Sequence, residues 1–306
     1  MEKFKFADID GIEILVRKWA GINSNIKGIV QIVHGMAEES SRYDYLAKKL
    51  NEEGFVVYAD DHRGHGETAS SREELGYISD EDGFHWMVNN LKQINGIIKR
   101  EYPNLPIVLL GHSMGAFLSQ RYAELYGDSI DYLVLTGTNG KPKIITKIGI
   151  KVAKRDITKY GRRHVGRYIN KLAFNAFNNN FKHTRTQFDW LSSVDEEVDN
   201  YIKNDLCGFK YPSSFYYDLI NGLWTIHKDE NLCRIPESLP IYIFAGDKDP
   251  VGYNGKGIIS LFNCFKGLVI NDVSYKLYKD GRHEMLHEYN KDEVISDLVL
   301  WLNKRI

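Results

Sequence analysis

Short apolar runs alternating with stretches of helical length make this an α/β chain, a mostly parallel sheet covered on both faces by helices. Two observations carry that expectation. The apolar runs are continuous and rich in β-branched residues, as strands buried on both faces are. A segment of roughly a hundred residues then interrupts the alternation without a convincing buried strand of its own.

Taken in order, residues 28–33 and 55–59 read as buried strands with a helical stretch, 42–53, between them. Residues 83–100 have helical spacing, 107–110 form a third strand, 113–126 a helix and 132–135 a fourth strand. The alternation stops after Thr138 and resumes near Pro236. There follow a strand at 241–245, a weaker alternating one at 274–278, and a helix over 291–304 that places Val294, Leu298 and Trp301 on one face. A structureless loop as long as the interruption is improbable in a compact domain. Helix-like pieces lie within it at 147–155, 168–177, 193–204 and 213–228. The expected organisation is a core made of residues 1–138 and 237–306, with residues 139–236 as a helical cap over one end of the sheet. The asparagine-rich stretch 175–180 reads as a turn within that cap.

Composition narrows the possibilities. The chain has 306 residues, 43% hydrophobic and 26% charged, the proportions of an ordinary globular protein. A net charge of -1 gives no reason to expect nucleic acid as a partner. The first residues mix Glu2, Lys3, Lys5, Asp8 and Asp10 with isolated apolar positions, unlike a secretion signal. No apolar run approaches membrane-spanning length, so a cytoplasmic location is expected. The three cysteines, Cys207, Cys233 and Cys264, are odd in number and lack the short spacing of a metal or redox motif, and mostly packed, reduced thiols are expected.

The chemistry concentrates in Gly111-His112-Ser113-Met114-Gly115, which follows an apolar strand and opens a helical stretch. That is the strand–turn–helix setting a G-x-S-x-G nucleophile elbow requires, with glycine on both sides because larger residues would clash in so tight a turn. The helix N-terminus points backbone N–H groups toward negative charge developing beside Ser113. A serine hydroxyl needs a base, and the base needs a carboxylate to orient it. In chain order the acid should follow a late strand, where Asp247 and Asp249 stand, and the histidine should follow the last strand, where His283 stands. All of them fall at the carboxyl ends of expected parallel strands, where sheets of this kind place their sites.

With these pieces the chain resembles the monoacylglycerol lipase and lysophospholipase branch of the α/β-hydrolases, also called serine aminopeptidase-like. The matching stretches are His34-Gly35-Met36-Ala37-Glu38, Asp61-His62-Arg63-Gly64-His65-Gly66, the serine motif, Gly246-Asp247-Lys248-Asp249 and His283-Glu284-Met285-Leu286-His287. The resemblance implies the α/β-hydrolase fold and a Ser113, His283, Asp249 triad, Asp249 being the aspartate of G-x-x-D. It also implies an oxyanion hole made by the backbone N–H groups of Met36 and Met114, whose side chains would line an acyl pocket. His287 would pack or hydrogen-bond nearby. His62 and His65 could suggest a metal pair, but in a glycine-rich turn histidines commonly hydrogen-bond the loop framework, and the resemblance implies that structural role. No metal and no organic cofactor is expected.

The implied reaction is hydrolysis of a monoacylglycerol, lysophospholipid or similar acyl ester through an acyl-enzyme. A peptidase removing N-terminal residues is the alternative within the superfamily, and it would need a carboxylate in the cap, with Asp195, Glu196 and Glu197 as candidates. A binding module that has lost catalysis is a third reading, weakened by the presence of every catalytic residue type. The first half of the cap carries eleven lysines and arginines between Lys141 and Lys171, opposed by Asp156 alone and interleaved with isoleucines. The simpler expectation is a cap whose apolar face covers the site and whose lysines are solvated. Peripheral contact with an anionic membrane is compatible with it. The second half is aromatic, including Phe177, Phe188, Trp190, Tyr211, Phe215 and Tyr216, and should supply the cap's own core and its seam with the sheet.

Overall fold

Eight strands form one sheet, β1 (Glu2–Ala7), β2 (Glu13–Trp19), β3 (Gly28–Val33), β4 (Phe55–Asp60), β5 (Ile107–His112), β6 (Tyr132–Thr136), β7 (Ile241–Gly246) and β8 (Val273–Tyr278). The computed structural model describes residues 1–21 and 25–306, with the backbone alone at 172–176. The strand order is β1-β2-β4-β3-β5-β6-β7-β8. β1 and β2 are antiparallel to their neighbours, and every pairing from β4 to β8 is parallel.

Parallel neighbours need crossovers, and helices supply them on both faces. Five helices serve the core: α1 (Asp44–Glu52), α2 (Gly83–Glu101), α3 (Met114–Tyr126), α9 (Lys256–Gly267) and α10 (Lys291–Asn303). Strand alternation assigns side chains to each face. In β5, Ile107 and Leu109 belong to one core cluster with Phe84, Leu91 and Ile94 of α2 and Leu261 and Phe265 of α9. Val108 and Leu110 belong to the other, with Leu46 and Leu50 of α1 and Leu298 and Trp301 of α10. The inner strands are therefore apolar at successive positions, Gln31 of β3 excepted, which is why their sequences read as apolar runs.

Between β6 and β7 lie α4 (Thr146–Tyr160), α5 (Arg167–Asn178), α6 (Asp195–Lys203), α7 (Ser213–Thr225) and the single turn α8 (Asp229–Leu232), with no strand among the described residues. Phe188, Trp190, Leu191, Val198 and Tyr201 form a small apolar cluster in this segment. Tyr211, Phe215 and Tyr216 join the main core beneath it.

Several expectations need correction. The turn assigned to residues 175–180 is helical as far as Asn178, and only Asn179 and Asn180 turn, because the apolar spacing of α5 carries the helix through the asparagines. The pair β1 and β2 and the helix α9 were not expected. β1 has no buried residue, and its alternation of Lys3-Phe4-Lys5-Phe6 spans too few positions to stand out. The cysteines are free but less packed than expected: Cys207 and Cys264 are half-buried, and Cys233, just past α8, is exposed.

Candidate active site

The strand-to-helix turn after β5 holds Ser113 at φ 53° and ψ -118°. A positive φ is costly for a residue with a side chain, on the order of 1–3 kcal/mol, and persists only where the surroundings enforce it. Here they do. A Cβ on Gly115 would lie 2.0 Å from the Val33 carbonyl oxygen, and one on Gly111 would lie 2.4 Å from the Gly115 carbonyl oxygen. The two glycines let α3 close against β3 and β5, and the Ser113 N–H donates to the Thr136 carbonyl at 2.9 Å. Met114 opens α3, so its N–H belongs to the first turn, where donors have no partner four residues back.

His283 follows β8 and is buried. Its Nδ1 lies 3.0 Å from Asp249 Oδ1, in the loop after β7. Asp249 is fully buried, its Oδ1 also accepts from the Val251 N–H at 2.9 Å, and its Oδ2 has no partner among the described residues. Asp247 is engaged elsewhere, accepting from the Asp280 N–H at 2.8 Å. Burial disfavours the His283 imidazolium, but the charge and hydrogen bond of Asp249 outweigh it, and His283 is held above its ordinary value with Glu284 and Glu38 adding to the effect. The His112 and Trp190 rings flank His283 at 4.8 and 4.9 Å. Burial, with His283 nearby, holds His112 well below the ordinary histidine range, so it is neutral.

The loop after β3 approaches the serine closely. A Cβ on Gly35 would meet Ser113 Cβ at 3.2 Å and Glu38 Oε1 at 2.7 Å. Met36, Ser113, Met114 and His283 border one cavity of about 320 Å³, lined also by Tyr216 and Leu219 of α7. Its walls are mainly apolar.

An ionic frame that sequence reasoning missed underlies the site. Arg42 makes a bidentate pair with Glu284 at 2.8 and 2.6 Å and a further hydrogen bond to Glu38 Oε2 at 2.5 Å. Glu38 in turn accepts from the Gly35 N–H at 2.5 Å. Arg42 thus ties the loop after β3 to the residue beside His283. The only sequence signal was that both glutamates stand inside the matched motifs. His287 lies in a short 3-10 turn, and its Nε2 donates to the Arg42 carbonyl at 3.1 Å.

The histidines after β4 are occupied by the framework. His62 Nδ1 lies 2.7 Å from Asp60 Oδ2, the His62 N–H donates to His34 Nε2 at 3.0 Å, and His65 Nδ1 donates to the Arg63 carbonyl at 2.8 Å. Among the described residues no group of three or more histidine, cysteine or acidic side chains is placed to hold a metal ion. Asp195 and Glu196 are exposed at the start of α6, and Glu197 pairs with Lys291 at 2.8 Å, so none of the three reaches the cavity.

Sheet order, crossovers and the tight strand-to-helix turn that holds Ser113 at the carboxyl edge of the parallel strands define the α/β-hydrolase class. The chain belongs to the serine aminopeptidase, S33, family, whose model matches residues 24–290. It is 33% identical over 305 residues to a monoacylglycerol lipase of Mycolicibacterium smegmatis, covering 97% of this chain and 95% of that protein. It is 25% identical over 303 residues to the monoglyceride lipase of Homo sapiens, covering 97% and 88%. Among solved structures, a thermostable carboxyl esterase from Bacillus coagulans, in complex with glycerol, superposes with a TM-score of 0.92 at 29% identity over 99% of this chain and 98% of that one. The protein is a carboxylic ester hydrolase, which removes the reading of a binding module without catalysis.

Proposed function

We propose that the protein hydrolyses monoacylglycerols or similar single-chain acyl esters through a Ser113, His283, Asp249 triad. The observation that carries the proposal is the buried Asp249–His283 pair beside a strained Ser113, at the edge of an apolar cavity. Asp249 accepts from Nδ1 of His283 and so leaves Nε2 free to take a proton from Ser113. Ser113 Oγ attacks the ester carbonyl, and the N–H groups of Met36 and Met114 receive the oxyanion. His283 then protonates the leaving alcohol, and a water activated by the same nitrogen releases the acyl group. No cofactor enters these steps. The similarity to a monoacylglycerol lipase over almost the full chain supports this substrate class.

The peptidase reading is less well supported. It needs a free carboxylate to hold a substrate ammonium, and the two that border the cavity, Glu38 and Glu284, are both bonded to Arg42.

Hydrolysis of p-nitrophenyl esters of increasing chain length, a monoacylglycerol, a lysophospholipid and an aminoacyl p-nitroanilide tests the proposal, with Ser113→Ala as control. Turnover of the esters with a chain-length optimum, lost in Ser113→Ala, is expected. Serine-dependent cleavage of the anilide alone would move the protein to peptide substrates.

A lipid surface is the proposed source of substrate. Among the described residues no helix is long and apolar enough to cross a membrane, but Ile144, Ile145 and Ile148 are 78%, 64% and 55% exposed at the start of α4. They stand among Lys141, Lys143 and Lys147, beside Pro142 and Thr146 of the cavity wall. Sedimentation with anionic vesicles should pull down the native chain and not an Ile144→Ser, Ile148→Ser variant, whereas equal partition of the two would remove this face from consideration.

A further inference from the structure

The peptide groups of Ala37, next to the proposed donor Met36, are held by residues of the segment between β6 and β7. Ala37 is fully buried at φ 55°. Its N–H donates to the Tyr211 hydroxyl at 2.5 Å. Its carbonyl accepts from the Tyr201 hydroxyl at 2.8 Å and from the Gly208 N–H at 2.9 Å. All three partners lie between β6 and β7.

Tyr211 is itself fixed from several sides. It is fully buried. Its N–H donates to Asn170 Oδ1 at 3.0 Å and its carbonyl accepts from Asn170 Nδ2 at 2.8 Å, so one carboxamide of α5 satisfies both backbone groups. Its ring stacks on Phe215 with centroids 3.7 Å apart. The direction of its hydroxyl proton follows from its other partner. His65 Nδ1 faces the Arg63 carbonyl, which can only accept, so Nδ1 carries the ring proton and Nε2 is an acceptor. The Tyr211 hydroxyl therefore donates to His65 Nε2 at 2.6 Å and accepts from Ala37.

The consequence concerns the Gly35–Met36 peptide, which bears the Met36 N–H. On one side the Gly35 N–H is held by Glu38, and on the other the Ala37 N–H is held by Tyr211. We infer that Tyr211 is a positioning residue of the oxyanion hole, one that aims the Met36 N–H by gripping Ala37 and so makes hydrolysis depend on docking of the cap. The inference rests on the reading of Met36 as an oxyanion donor given above. An oxyanion donor is worth about 10²- to 10³-fold in rate, and a misplacement of about 1 Å can cost about 10²-fold.

Tyr211→Phe removes the hydroxyl and keeps the ring. On a short p-nitrophenyl ester, kcat should fall about 10- to 100-fold with KM changed less than about twofold. Affinity for an alkyl trifluoromethyl ketone should fall by the same factor as kcat, because its adduct with Ser113 places an oxyanion in the hole. Affinity for the corresponding secondary alcohol, which forms no adduct, should not change. A merely structural role would lower the melting temperature without making ketone affinity track kcat. If Tyr211→Phe does not fold, Asn170→Ala loosens the Tyr211 backbone and should give a smaller loss of the same two quantities. Native kcat and ketone affinity in the folded variant overturn the inference and leave the triad reading intact. Absence of Ser113-dependent hydrolysis by the native chain would instead overturn the triad reading.

Discussion

At His283 burial and charge oppose each other, and charge wins. The imidazolium is desolvated, yet Asp249 at 3.0 Å, with Glu284 and Glu38 behind it, holds the ring above the ordinary histidine value. In the proposed mechanism His283 is the general base and must be neutral, so activity should be lost as pH falls through that raised value. The acid limb of kcat/KM should therefore have its midpoint above about 6.5, the reference value for histidine. Asp249→Asn removes the charge that raises it and the acceptor that fixes the tautomer. It should move the limb to lower pH and reduce kcat by about 10³- to 10⁴-fold. A limb that stays in place in Asp249→Asn would separate the titration from His283.

Among the elements, Arg42 just ahead of α1 connects two loops of the candidate site that the sheet alone leaves independent. It bonds Glu38 of the loop after β3 and Glu284 of the loop after β8, and all three side chains are buried or nearly so. Burial works against the Glu284 carboxylate, but Arg42 holds its pKa well below the ordinary range. Removing one partner of a buried pair strands the others, typically at about 3–5 kcal/mol. Arg42→Met should thus destabilise the fold by about that amount in a urea titration, and its residual activity should fall further than Lys48→Met, an exposed pair on α1. Equal stability of the two variants would show that the loops hold themselves.

Over the whole molecule, the buried histidines contribute to the response to acid. Burial, with the neighbouring His62, holds His65 at about 3, and burial holds His34 and His112 well below the ordinary value. Each is neutral when folded and protonates more readily when unfolded, so its contribution is present above about 6.5 and is lost as pH falls toward the folded value. His62 and His283 are raised and act the other way, their contribution being present below about 6.5 and lost as pH rises through the folded values. From His65 alone the loss between pH 7 and pH 5 is about 2 kcal/mol. Glu124, whose carboxyl burial raises to about 7, gains stability over the same interval and offsets it. Between pH 7 and pH 5 the melting temperature of His65→Asn should therefore change by several degrees less in the falling direction than that of the native chain. Parallel profiles of the two proteins over that interval would contradict a neutral, buried His65.

Local pattern alone was enough to read the five inner strands, the helices between them and the serine turn. A strand buried on both faces must be apolar at successive positions, and a turn packed 2.0 Å from a neighbouring carbonyl must be glycine, so both are written into consecutive residues. β1, with no buried residue, left no comparable mark, and the asparagines of α5 resembled a turn because propensity is weaker than packing. Between Asp247 and Asp249 residue type could not choose, and only the matched motif favoured Asp249. Folding separates them in space, one against His283 and the other against the Asp280 N–H. The links from Arg42 to Glu284 and from Asn170 through Tyr211 to Ala37 join residues 242, 41 and 174 positions apart. No periodicity encodes such contacts, because they exist only once the segment between β6 and β7 meets the loops after β3 and β8.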